Sequence, residues 1–126
     1  MKDWKPANYN SVSPYLVCRD AERVIAFLTA AFKAELLRRF DRPDGSLMHA
    51  ELRIDDSIVM LGGGARMEPS EGMHIHVYVR DVEAVYERAL KAGGTSVQEP
   101  VRKRADDDRR AGVSDGCGNI WWIATQ

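Results

Sequence analysis

Imidazole, carboxylate and guanidinium side chains recur at every second position in two short stretches of this chain. In Leu47-Met48-His49-Ala50-Glu51-Leu52-Arg53-Ile54, the residues His49, Glu51 and Arg53 share one parity with Leu47. Met48, Ala50, Leu52 and Ile54 share the other. In Met73-His74-Ile75-His76-Val77-Tyr78-Val79, His74, His76 and Tyr78 alternate with Ile75, Val77 and Val79. A period of two puts each set on one face of a β-strand. Side chains of these types can ligate a metal, or can orient a bound molecule through a few hydrogen bonds. Neighbours at i and i+2 on one strand stand about 7 Å apart, so one small ion cannot easily reach both members of a pair. The reading for His49 is therefore a hydrogen bond to Glu51, to Arg53 or to a loop.

Other candidates for chemistry are weaker. Cys18 falls on the core-facing parity of its strand, and Cys117 lies in the Asp115–Asn119 turn with no base fixed beside it, so neither reads as a nucleophile. Gly62-Gly63-Gly64 lacks the Lys-Ser/Thr and the following helix of a phosphate loop, so it reads as a flexible connector. The mixed-sign run Arg102–Arg110 reads as a solvated loop, with a lid over a pocket as the alternative.

The elements that must position these residues form a weak internal repeat. Val17-Cys18-Arg19-Asp20-Ala21-Glu22-Arg23-Val24 overlays Tyr78-Val79-Arg80-Asp81-Val82-Glu83-Ala84-Val85 at an offset of 61 residues. In each copy an apolar run is followed by an Asp suited to cap a helix and a Glu placed near the positive end of its dipole. Helical spacing predicts a first helix from about Ala21 to Lys33 and a second from about Val82 to Ala92, stopped by Gly93-Gly94. Asp55-Asp56 reads as the turn of a hairpin into Ser57–Leu61. Ser96–Glu99, Gly112–Ser114 and Asn119–Ala124 complete the strands, and residues 62–72 read as loop. The order is β-α-β-β-β, twice. Parity lets only one of Trp121 and Trp122 face the core; the assignment is Trp121 to the core and Trp122 to a pocket.

Composition bounds the function. The chain has 126 residues, 44% of them hydrophobic and 29% charged, with a formal net charge of -1. That suits one domain hiding about two thirds of its unfolded surface, and it excludes disordered and disulfide-scaffold classes. Near-neutral charge argues against a nucleic-acid or anionic-membrane partner bound by charge. No apolar run approaches the ~18 residues of a membrane helix. The N-terminal residues lack a signal-like apolar run, and two cysteines read as reduced thiols, so the expected location is cytoplasmic.

Several stretches together carry a family resemblance. They are Pro14-Tyr15-Leu16-Val17 with Arg19-Asp20, Ala31-Phe32-Lys33-Ala34-Glu35, Pro43-Asp44-Gly45 and Met48–Ile54 with Asp56-Ser57. Tyr78-Val79-Arg80-Asp81-Val82, Ala92-Gly93-Gly94 and Asp115–Thr125 continue the match. Over roughly residues 12–125 the sequence resembles the glyoxalase/bleomycin-resistance/extradiol-dioxygenase superfamily, the vicinal-oxygen-chelate fold, and within it the PhnB-like branch. The resemblance implies an α+β domain of two paired β-α-β-β-β modules, about 12–61 and about 73–125, forming a curved mixed sheet around a cavity with helices outside. The stripes Met48/Ala50/Leu52/Ile54 and Ile75/Val77/Val79 would then pack under the helices. Ser13, Tyr15, Val17, Leu47, His49, Glu51, Arg53, His74, His76, Tyr78, Trp122 and Ala124 would line the cavity.

The resemblance also implies four metal-ligand positions, which fall on Ser13, Glu51, His74 and Trp122. Only Glu51 and His74 are ligand types; the indole N–H of Trp122 donates and has no lone pair to offer. Two protein ligands are fewer than a catalytic zinc uses, so the expectation is no metal and no other cofactor. If a divalent ion were held, Glu51 and His74 would hold it. The function expected is a small-molecule binder of the bleomycin-resistance type. Trp122, Tyr78 and Tyr15 would stack a planar aromatic antibiotic or metabolite, and His49, Glu51, Arg53, His74 and His76 would orient it. The alternative is a metal-dependent lyase, isomerase or dioxygenase. A homodimer is implied by resemblance alone.

Overall fold

The computed structural model describes residues 4–63 and 72–126. The elements run β1 (Tyr15–Cys18), α1 (Ala21–Phe32), β2 (Glu35–Asp41), β3 (Leu47–Ile54), β4 (Ser57–Gly63), then β5 (Met73–Tyr78), α2 (Val82–Lys91), β6 (Thr95–Val101), β7 (Arg109–Ser114) and β8 (Asn119–Thr125). The repeated β-α-β-β-β order is thus present. Each repeat forms its own mixed four-stranded sheet, ordered β1-β4-β3-β2 and β5-β8-β7-β6. In each, the first strand lies parallel to the last and the other pairs are antiparallel. Among the described residues the architecture is α+β, with two separate open sheets.

Local chemistry explains the helices. The Asp20 carboxylate accepts from the Arg23 N–H at 3.1 Å, and Asp81 does the same for Ala84 at 3.2 Å, satisfying first-turn donors that have no partner inside the helix. Helix α1 ends on Lys33 in the left-handed region, and α2 ends before Gly93, whose φ is +99°. Both helices lie on the inner side of their sheets and against each other. There Phe27 and Phe32 of α1 meet Trp121 of β8 at ring-centroid distances of 6.5 and 5.5 Å. Arg88 of α2 donates to the Ala31 carbonyl at 3.2 Å. Leu16, Leu28, Leu52, Leu61, Val113 and Ile123 complete this shared core. The opposite face of each sheet stays open. On it stand Tyr15 and Phe40 in the first sheet and Tyr78 in the second.

Five expectations need correction. Strand β2 carries no alternation that would announce it: Glu-Leu-Leu-Arg-Arg-Phe-Asp is an edge strand with most residues exposed and a bulge between Leu36 and Arg38. Met48 does not pack under a helix. The register passes from Phe40↔His49 to Asp41↔Leu47, and this bulge leaves Met48 47% exposed while Leu47 is buried. Gly62 and Gly63 are not a connector; they end β4 and pair with Val17 and Cys18 of β1. Gly64 and the rest of the expected loop to residue 71 lie outside the described residues. Ala124 shares its parity with Trp122 yet is fully buried, so it lines no cavity. Ile75, Val77 and Val79 are half-buried rather than covered, and Val77 and Val79 border an open hollow.

Candidate functional site

The polar parity of the sequence emerges on two faces. Face A belongs to the first sheet. Its centre is His49, whose Nε2 lies 2.8 Å from Glu51 Oε2 and whose Nδ1 lies 3.1 Å from the Tyr15 hydroxyl. The Tyr15 and His49 rings stack at 5.5 Å, and Phe40, opposite His49 in register, packs at 6.2 Å on a tilt. The Tyr9 hydroxyl donates to the remaining Glu51 oxygen, Oε1, at 2.5 Å. Glu51 is buried. Burial pushes its pKa up, but the hydrogen bonds from His49 and Tyr9 outweigh that and hold it below the usual carboxylate value. Tyr9 shows the converse: donating to Glu51, with some burial, raises its phenol pKa. Arg53 turns to the rim, donating to the Asn8 carbonyl at 3.5 Å beside a hollow of about 400 Å³ shared with Tyr9 and Asn10.

Face B belongs to the second sheet. Trp122 Nε1 donates to His74 Nδ1 at 3.0 Å, and the two ring planes differ by only 6° with centroids 6.2 Å apart. The rings are therefore nearly coplanar, joined edge to edge. Trp122 lies flat over Gly112 of β7: a Cβ there would stand 2.6 Å from the indole Cζ3, so only glycine admits the ring. Beside this platform, Tyr78 donates to Asp108 at 2.7 Å. Arg110 reaches Asp108 and His76, each at 3.2 Å. Desolvation, then the Arg110 charge, lowers the His76 pKa. The Asp108 bond is the main cause that raises the Tyr78 pKa. The charged run is the turn between β6 and β7. Val101, Lys103, Asp107, Arg110 and Trp122 surround a hollow of about 250 Å³ there.

Among the described residues, no hydrogen bond or ring contact joins the Tyr15–His49–Glu51 set of face A to the His74–Trp122 and His76–Tyr78 sets of face B. A further hollow, about 790 Å³, lies elsewhere. It is a groove between the two modules lined by Phe32, Ile54, Val77 and Val85. Tyr9, Phe40, Asp108 and Arg110 belong to the two faces without being legible in the sequence reading. Arg110 could have been found, since it shares the parity of Gly112 and Ser114 in β7. Tyr9 sits in an aperiodic segment that carries no signal.

The residues at the four ligand positions do not suit a metal within one chain. Both Glu51 oxygens already accept hydrogen bonds. His74 Nδ1 is taken by the Trp122 N–H, and Trp122 offers no lone pair. Ser13 Oγ is buried without a partner, but a hydroxyl is a poor ligand. The cysteines follow expectation. Burial raises the Cys18 thiol to about 12, and Cys117 is raised by burial and then by Asp115. Trp121 is buried and donates to Asp115 at 3.0 Å.

Comparison with known proteins agrees with the fold. A family model described as Glyoxalase/Bleomycin resistance protein/Dioxygenase superfamily matches residues 9–123. An uncharacterized protein of Mycobacterium bovis, Mb0911c, is 39% identical over 122 residues, covering 88% of this chain and 80% of its own. The crystal structure of TioX from Micromonospora sp. ML1 superposes with a TM-score of 0.73 at 24% identity, over 92% of this chain and 98% of that one. Fosfomycin resistance protein FosX from Mesorhizobium loti superposes at 0.69 with 21% identity, over 93% and 92%.

Proposed function

The chain belongs to the Glyoxalase/Bleomycin resistance protein/Dioxygenase superfamily, and from that membership we infer that it is a small-molecule binding protein of the bleomycin-resistance type. In this reading it sequesters a planar aromatic antibiotic or metabolite. One observation carries this reading. Trp122 and His74 make a single flat platform, fixed by their 3.0 Å hydrogen bond and seated on Gly112. A rigid aromatic surface of this kind stacks a flat ligand with little rotamer entropy to lose. Tyr78, His76 and Arg110 at its edge supply hydrogen-bonding groups that orient the ligand.

In one chain the platform is only an open wall. Face A, with Tyr15, His49, Glu51 and Arg53, offers the complementary polar and aromatic groups on the other sheet. A homodimer that sets face A of one copy against face B of the other would enclose the ligand between them. We place it in the cytoplasm, a reading supported by its two free cysteines. The alternative of a metal-dependent lyase, isomerase or dioxygenase finds weaker support, because only Glu51 and His74 are ligand types and their donor atoms are largely engaged within the chain.

The test is a thermal-shift screen of planar aromatic compounds, followed by tryptophan-fluorescence titration of the best binder. Quenching that disappears in Trp122→Ala supports the reading. Equal affinity in Trp122→Ala refutes the stacking role.

A further inference from the structure

Face A holds a hydrogen-bonded chain whose acid–base capacity the stacking platform of face B does not draw on. We propose that Glu51, His49 and Tyr15 form a proton relay that makes the Tyr15 phenol a base toward a molecule on face A. That molecule carries a weakly acidic O–H, or a C–H beside a carbonyl.

The order of protons follows from the buried carboxylate. Glu51 is buried and its pKa is lowered, so it is ionised and only accepts. His49 Nε2, 2.8 Å from Oε2, must then carry the hydrogen. In the neutral ring Nδ1 is left with its lone pair, and the Tyr15 hydroxyl at 3.1 Å donates to it. Tyr9 saturates the other Glu51 oxygen and keeps the carboxylate in place. Gly62 makes room for the phenol: a Cβ there would lie 2.9 Å from the Tyr15 hydroxyl oxygen. Tyr15 is 41% exposed, so its oxygen is reachable from the open face.

The proton balance closes without a further reactant. The bound molecule gives a proton to Tyr15 Oη while the phenolic proton passes to His49 Nδ1. The resulting imidazolium is paired with Glu51, and the molecule becomes an anion near the Arg38 guanidinium, which packs 5.0 Å from the Phe40 ring.

Tyr78 is a built-in control. It is more exposed, at 64%, but it donates to the Asp108 carboxylate, which raises its pKa. Accessibility alone would make Tyr78 the more reactive phenol, whereas the relay makes it Tyr15.

The probe is p-nitrophenyl acetate applied to the full chain at neutral pH, with acetylated tyrosines followed over time by peptide mass spectrometry. In the reaction Tyr15 Oη forms a bond to the acetyl carbon and the bond to p-nitrophenolate breaks. The phenolic proton goes to His49 Nδ1 and then to water. Tyr15 should be acetylated at least about tenfold faster than Tyr78. His49→Gln, which cannot take the proton, should bring Tyr15 down to the Tyr78 rate or below it, with Tyr78 unchanged. Acetylation of Tyr78 as fast as Tyr15 in the natural chain overturns the proposal, as does a Tyr15 rate indifferent to His49→Gln. If His49→Gln does not fold, the natural chain's rate ratio and Gly62→Ala decide. The added methyl displaces the phenol from His49, so an unchanged Tyr15 rate in Gly62→Ala also overturns it. These outcomes are independent of whether face B binds a planar ligand.

Discussion

Gly112→Ala removes no atom from the proposed platform, yet it should dismantle it. The new Cβ would sit 2.6 Å from Trp122 Cζ3 and 2.9 Å from Cε3. Ordinary carbon contacts are ~3.5–4.0 Å, so the ring must retreat by about 1 Å. Gly112 lies inside β7, paired with Trp122 in register, so the backbone cannot give way cheaply. The indole therefore swings, and its 3.0 Å bond to His74 breaks. Overpacking of this kind costs about 1–3 kcal/mol of stability, measurable by urea unfolding. Loss of an ordered stacking surface costs about 0.5–1.5 kcal/mol of binding, or roughly a twofold to tenfold rise in Kd for the best planar aromatic from the screen. Fluorescence titration at a temperature where the variant is folded reads that change. A folded Gly112→Ala that binds as tightly as the natural chain, with the same quenching, would refute the platform argument.

Three further outcomes follow from the same contacts. Asp115 is buried and accepts from the N–H of Cys117 at 2.8 Å, from Asn119 Nδ2 at 2.8 Å and from Trp121 Nε1 at 3.0 Å, so Asp115→Ala strands several donors. It should lower stability by about 2–4 kcal/mol in denaturant unfolding. The Glu51 pKa is lower in the folded chain than in the unfolded one. Its stabilisation is therefore complete above the ordinary carboxylate value of ~4.3 and is lost as pH falls through the lower folded value. Thermal melts should show Glu51→Gln less stable than the natural chain at neutral pH, with the gap closing in acid. Cys18, buried and held near 12, should resist iodoacetamide at pH 8 in the native chain and react once the chain is unfolded.

The sequence was most legible where the physics is local. Asp20 and Asp81 cap helices at equivalent points of the repeat, because a short carboxylate followed by a helical stripe has few other uses. The split of Trp121 into the core and Trp122 onto the open face follows from strand parity alone. Parity fails where the register is irregular. The bulge beside Phe40 exposes Met48, and no pattern within residues 47–54 could reveal it, since the cause lies in the partner strand. Strand β2 was hidden because an edge strand open on most of its surface keeps no apolar rhythm. Tyr9 and Asp108 come from an aperiodic segment and a turn, so their roles appear only once the chain brings them to Glu51 and Tyr78. The sequence reading expected one cavity lined by both polar stretches. Instead each stretch stands on its own sheet, because each module pairs its strands internally and the helices occupy the space between.

The most direct measurement of the central claim is the indole N–H resonances of Trp4, Trp121 and Trp122 during titration with the best planar aromatic compound. The account predicts that the Trp122 signal, set by its bond to His74, shifts on binding while that of Trp121, bound to buried Asp115, does not. Saturable binding that leaves the Trp122 signal unmoved would contradict it.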